Sequence, residues 1–304
     1  MGHYLYTPGC AFGRCCNMPA SQVAALGYVM GGSTTSSAAS QIKRVQEYEP
    51  GGDAWSDMTD LPSPVRGRAS AATLSSLVYC MGGQGGGVST SIADNDEYNP
   101  SLNSWTSRTD ISTAKHNASL VNIGASLYHA VGDDGTSMLR GTDRYSVDSW
   151  TAKTDAPTPA RSTRSATTIG SGMYLFCGQL AVGNTAQTDE YIPDTWTTKT
   201  AYSTATSDGT AATRDDVAYL LAGANGGRRK TNDSYVVDTW TSKTDMPTPA
   251  RNALAAFTVA DAVHVVAGID SVGRITDVDS YTPDTWSSVS GVDTGTGGMA
   301  GAAA

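Results

Sequence analysis

Basic side chains recur along this chain at a near-constant interval. Counting back seventeen residues from the glycine that closes each apolar strand gives Arg14, Lys115, Arg161 and Arg251; Arg66 falls one residue off the series and Thr206 breaks it. Five cations gathered at one opening, on a chain of net charge −9, would focus potential toward an anion. Guanidinium forks hold carboxylates or sulfates bidentately, so a ligand of that chemistry is the functional reading. The structural reading is pairing. Asp60, Asp110, Asp155 and Asp245 recur nearby, and Asp96, Asp143, Asp189, Asp233 and Asp279 each stand two residues ahead of a tyrosine, where they could bond local backbone or the basic series. As metal ligands those acids would lie a repeat apart, too far to share an ion.

Other reactive residue types form no constellation. Cys10, Cys15 and Cys16 lack the paired spacing of a zinc site, and His3 is the one imidazole near them. Cys80 and Cys177 sit inside apolar runs and read as small core residues. His116, His129 and His264 are scattered, the last two within apolar strands. No nucleophile elbow, phosphate loop or dinucleotide fingerprint is present, and no carboxylate pair is singled out. No cofactor is expected.

The elements that must position these residues come from a repeat. The six tryptophans, Trp55, Trp105, Trp150, Trp196, Trp240 and Trp286, are 50, 45, 46, 44 and 46 residues apart. A period of that length over a whole chain means a propeller or an array. A tyrosine precedes each: Tyr48, Tyr98, Tyr145, Tyr191, Tyr235 and Tyr281. The fourth unit reads as four strands: small residues after Arg161, the apolar run Met173 to Cys177 stopped by Gly178, then Asp189-Glu190-Tyr191, a Pro193-Asp194-Thr195 turn, and a last strand from Trp196. Four short strands per unit predict an all-β, six-bladed propeller of antiparallel sheets. Small residues suit the strand nearest the axis, where blades crowd, and the glycine ending the second strand is expected to need φ > 0 or close backbone approach.

The units resemble the kelch repeat: an apolar strand ending in Gly-Gly, then Tyr, then Trp, with a Pro-containing stretch and Arg before the next unit. Tyr28-Val29-Met30-Gly31-Gly32 and Tyr79-Cys80-Met81-Gly82-Gly83 match fully, and Pro-Thr-Pro-Ala-Arg occurs at 157–161 and 247–251. The resemblance implies that the basic series opens the inner strands near the mouth of the central channel, on a partner-binding face. The expected boundaries are an extension over 1–13, the propeller over 14–290, and a flexible Gly/Ala-rich tail over 291–304.

Loops after the second strand, at 33–40, 84–92, 133–141, 180–186, 225–230 and 270–274, differ between units and are expected to share one face. Scaffolds vary loops where recognition happens, which makes Arg228 and Arg229 candidate binding residues. An acidic surface, pI about 4.8, argues against nucleic acid, and no apolar run is long enough to span a membrane as a helix. The start shows no basic-then-apolar leader, so cytoplasmic synthesis is expected. The expected function is a non-catalytic module binding a protein or glycan partner. Its Ser/Thr/Gly/Ala-rich, Lys-poor style resembles accessory proteins of phage particles, which suggests a virion component. A carbohydrate epimerase or mutarotase, or an intracellular adaptor, are the alternatives implied by the kelch resemblance.

Overall fold

The computed structural model describes residues 25–35, 40–85, 90–236 and 238–304. Its core is six four-stranded antiparallel sheets, joined by a small three-stranded one made of Arg66–Gly67, Gln84–Gly85 and Thr90–Ser91. From axis to rim, the first blade is Ala300–Ala303, Gly27–Met30, Val45–Glu49 and Ala54–Met58. The other innermost strands are Ser70–Leu74, Ser119–Ile123, Ala166–Ile169, Thr210–Arg214 and Ala255–Val259. Each packs beside the next and the last packs beside Ala300–Ala303, so the six form a closed ring.

Ring closure corrects the expected boundaries. The segment 291–304 is not a tail: Ala300–Ala303 pairs antiparallel with Gly27–Met30, with Tyr28 opposite Ala302 and Met30 opposite Ala300. The propeller therefore runs to the end of the chain and welds its last strand into the first blade. The Ala-Gly-Ala-Ala run is what the axis demands, because inner strands crowd there. Gly301 already sits so close to Ala255 that an added Cβ would lie 3.1 Å from that residue's own. Residues 1–24, including the expected extension, lie outside the described residues.

Burial is organised between blades rather than within one centre. Six apolar cores lie at the six blade interfaces. In one, Tyr28, Met30 and Val45 of the first blade meet Val78, Cys80 and Tyr98 of the second. In another, Phe257, Val266 and Val278 of the sixth meet Val29 and Tyr48 of the first. Burial pushes the Cys80 and Cys177 thiols up to about 11, consistent with inert core residues.

The rim explains the Tyr–Trp repeat. Every tyrosine stands directly opposite its tryptophan on the third and fourth strands, whether the intervening gap is seven residues (Tyr48↔Trp55) or five (Tyr191↔Trp196). Ring centroids are 5.0 Å apart in both pairs, a packed aromatic contact. Each indole N–H then donates to a carbonyl of the preceding blade: Trp196 to Thr154 at 2.8 Å, Trp286 to Thr244 at 2.8 Å, and Trp55 to Ser290 at 2.7 Å across the closure. Six such staples tie the ring. Trp196→Phe removes one hydrogen bond and part of a packed ring. It is expected to cost ~1–2 kcal/mol by denaturant unfolding; no loss would assign the staple no energetic weight.

The strand-ending glycines have the expected backbone, with a shift in register. Gly32, Gly83, Gly132, Gly178, Gly223 and Gly268 all lie between φ +100° and +129°. They are equivalent because each leads into the same crossing. An added Cβ on Gly178 would meet the Ser162 carbonyl at 2.7 Å, and one on Gly223 the Ser207 carbonyl at 2.8 Å. The repeat thus retains the second glycine of the Gly-Gly pair in every blade, and the first is replaced by Val131, Cys177, Ala222 or Ala267.

Candidate functional site

The register shift repairs the basic series. Counted from the second glycine, Arg66 falls into line at seventeen residues with Lys115, Arg161 and Arg251. Its members are positioned twice. Each is tied to the preceding blade through its backbone: Gly32 N–H donates to the Arg66 carbonyl at 2.9 Å, Gly83 to Lys115 at 2.9 Å and Gly132 to Arg161 at 3.2 Å, whereas Arg251 donates its own N–H to the Arg229 carbonyl at 3.0 Å. Their side chains turn the other way, into their own blade. Arg161 meets Asp189 at 2.6 Å, Lys115 meets Asp143 at 3.5 Å, and Arg66 and Arg251 pair with Asp96 and Asp279. In the fifth blade, where Thr206 holds the position, Asp233 takes the Tyr202 hydroxyl instead. In the first blade the position belongs to Thr296, whose carbonyl accepts from Gly268 at 3.0 Å. Arg14 lies outside the described residues.

These observations correct the expected binding ring. Arg66, Arg161 and Arg251 are 0% exposed and Lys115 is 1% exposed, so no partner reaches them at a channel mouth. They are structural pins, each joining two blades, and four of the acids ahead of the tyrosines, Asp96, Asp143, Asp189 and Asp279, are their partners. Lys115 is the loosest of the four, and burial lowers its pKa despite the pull of Asp143.

Lys115 also helps define the environment of His129. This imidazole is fully buried, tilted against Trp150 at 6.3 Å, and both its ring nitrogens are without hydrogen-bond partners. Burial, with the Lys115 charge behind it, holds its pKa well below the usual value. The native state therefore resists a proton that the unfolded chain accepts near pH ~6.5. Stability is unaffected above that pH and falls as pH drops below it. His129→Phe is expected to remove close to one proton from that acid slope, ~1.4 kcal/mol per pH unit. Parallel slopes in wild type and variant, from denaturant unfolding between pH 4.5 and 7, would contradict this.

The charged feature that does face the axis is different. Three cavities lie along the channel. One of about 70 Å³ marks an alanine-lined waist, and one of about 250 Å³ opens at the far end among threonines and alanines. The third, about 380 Å³, opens at the loop face. Arg68, Arg164, Arg228 and Arg274 all line it, against a single carboxylate, Asp208. Loop residues Ser33, Gln84, Arg228 and Arg274 border it, so the variable loops of four blades do surround one mouth.

The rim has a backbone origin. Arg68, Asn117, Asp208, Ala253 and Gly298, two residues after the pin position in five of the six blades, have φ of +57°, +47°, +52°, +56° and +70°. They pass hydrogen bonds round the axis: Asn117 N–H to Arg68 at 3.0 Å, Arg68 to Gly298 at 2.7 Å, Gly298 to Ala253 at 2.7 Å and Ala253 to Asp208 at 2.8 Å. The fourth blade departs from this pattern. Arg164, just before its inner strand, sends Nη1 to the Met299 carbonyl at 3.3 Å, three blades away across the channel. It forms the floor between mouth and waist. Burial lowers the pKa of Arg164, as it does that of Arg274, and the Arg68 charge lowers both further.

Of the residues expected to bind, the structure therefore places Arg228 at this mouth, with Nε donating to Asn252 at 3.2 Å. Arg229 is half-buried behind it, its backbone bridged to Arg251. Arg68, Arg164 and Arg274 escape the sequence period, because each comes from a different position in its repeat. Among the described residues no three His, Cys, Asp or Glu side chains converge as a metal-holding group, and no helix is long and apolar enough to cross a membrane.

Comparison with known proteins supports the architecture. Residues 66–110 match the family model described as the Kelch motif. No curated protein matches the sequence. Among solved structures the chain is similar to the one titled "Structure of YjhT", with a TM-score of 0.70 at 14% identity over 82% of this chain and 91% of that one. At that identity the likeness is one of fold. With six closed four-stranded blades and a Kelch motif matched over the second, the chain is a six-bladed β-propeller similar in fold to kelch propellers.

Proposed function

We propose that this protein is a non-catalytic recognition module that engages a protein or glycan partner through the loop face around the basic mouth. One observation carries the reading. Four arginines converge on a concave opening of a chain whose net charge is −9, and among the described residues none of them is ion-paired with a carboxylate. A local positive field on an acidic body steers and orients an anionic partner. The loops that border the mouth differ from blade to blade, as a recognition surface requires. The composition noted above supports a virion setting.

The test compares wild type with the Arg68→Gln/Arg274→Gln pair on a glycan array and in affinity capture from host and source material. At least a tenfold loss of capture is expected, with an unchanged melting temperature and weaker binding from 50 to 500 mM NaCl. Binding indifferent to both the substitutions and salt would overturn the reading. Co-sedimentation with particles, absent after particle disruption, tests the setting.

A further inference from the structure

The mouth cavity holds polar groups whose hydrogen-bonding capacity the fold leaves unused. Gln41 lines it at 7% exposure, and its side-chain oxygen has no partner. The Nε atoms of Arg164 and Arg274 are likewise buried and unpartnered. The pins Arg66, Arg161 and Arg251 leave Nε unpartnered too, so the mouth arginines differ in charge rather than in donor count: each pin has a carboxylate within its blade, as Arg161 has Asp189, and Arg164 and Arg274 have none in ion-pair contact among the described residues. Guanidiniums grouped without ion-paired carboxylates are costly for the folded state alone, and such costs concentrate at binding sites.

The position of each arginine is also informative. Arg164 is held from below by the Met299 carbonyl through Nη1, and Arg274 is held at the rim by Ser33 Oγ at 3.3 Å through Nη2. Both hydrogen-bond partners are neutral oxygens, and the opposing charge nearest Arg164 is Asp208. Arg228 is held by the neutral Asn252 amide. Among the described residues Asp208 is the one lining carboxylate, against four guanidiniums, so that lining carries three uncompensated positive charges. His116 nearby adds none, since burial lowers its pKa. The waist below, at about 70 Å³, is too narrow to continue the site, so a ligand group stops on Arg164.

Resting on the recognition reading above, we propose that this cavity is a binding site for one oxyanion group, a carboxylate or a sulfate, seated on Arg164 and clasped from the rim by Arg68, Arg274 and Arg228. Guanidinium forks meet both groups with two parallel N–H···O bonds. The unpartnered Gln41 oxygen accepts from a hydroxyl or amide beside the anion. A cavity of about 380 Å³ has room for the residue that carries the charge as well as the charged group.

The experiment is equilibrium dialysis of the full chain against labelled sulfate and, separately, labelled acetate, at ionic strength held constant with NaCl. Saturable binding of one equivalent per chain is expected for at least one ion. It should weaken at least tenfold in Arg164→Gln and be unchanged in Arg214→Gln, whose arginine lies at the far end of an inner strand. If Arg164→Gln does not fold by circular dichroism, Arg274→Gln at the rim is expected to show the same loss. Saturation by acetate alone assigns a carboxylate, and by sulfate alone a sulfate. Absence of saturable binding of both ions, or equal loss in Arg214→Gln, overturns the proposal. Partner capture that persists without oxyanion binding sinks this site and leaves the recognition reading standing. Oxyanion binding without any partner does the reverse.

Discussion

A chain ending at Gly298 is expected to lose its cooperative unfolding transition. The deletion removes Met299 and the strand Ala300–Ala303, which supplies the axial position of the first blade. Three losses coincide. The backbone of Gly27–Met30 forfeits its ladder on one side. Leu26 loses its reciprocal bonds with Ala304, at 2.8 and 2.9 Å. Ala300, Ala302 and Met299 leave the two cores that flank the first blade. A propeller shares its stability among neighbouring blades, so breaking the ring at one seam exposes two interfaces at once. Calorimetry and near-ultraviolet circular dichroism should show a broad, probe-dependent melt in place of one transition. Adding a synthetic peptide of residues 297–304 in trans is expected to restore the sharp transition in a concentration-dependent way. A truncated chain melting within about 2 °C of the full chain would show that the seam carries less than ~1 kcal/mol.

Arg161→Ala is the second large effect, an expected loss of ~3–5 kcal/mol in denaturant unfolding. Arg161 and Asp189 are both 0% exposed, and the substitution strands the carboxylate. Gln187 at 2.8 Å and Thr198 at 2.9 Å still donate to Asp189, which softens the cost without supplying a counter-charge. The pair as a whole is a different matter, because its desolvation is already a cost in the wild type. Replacing both ends with Arg161→Met and Asp189→Leu is expected to recover most of the loss, since Thr198 is exposed and finds water. If Arg161→Ala instead folded normally and lost partner binding, the residue would be a ligand contact and the pin assignment would fail.

These two predictions mark where sequence and structure part. The rim was legible from residue types alone. A tryptophan at each outer strand, with a tyrosine ahead of it, repeats because every blade interface widens outward and needs the same bulk there. That requirement is local to each repeat, so it leaves a period. The same holds for Arg66, Lys115, Arg161 and Arg251 as a series. Their burial left no such trace: each partner acid stands 28 or 30 residues away, and whether an arginine faces water depends on what packs over it.

Closure was present in the sequence but carried little information. The run Ala300-Gly301-Ala302-Ala303 matches inner strands such as Thr210-Ala211-Ala212-Thr213 in size and in its place four residues after the pin position. Small residues also compose linkers, so crowding at an axis and freedom in a tail look alike until the neighbours are known. The axial arginines are the clearest case. Arg68 and Arg164 follow the pins by two and three residues, while Arg228 and Arg274 sit in loops. They share no repeat position and so no period. The sequence by itself determined the blades, their number and the order of strands within a unit, because hydrophobic patterning and turns act over tens of residues. The curvature that closes six blades on one axis decided which strand completes the ring, which cations are buried as pins, and which four meet at the mouth, because that curvature is a property of the assembled ring and of no single repeat.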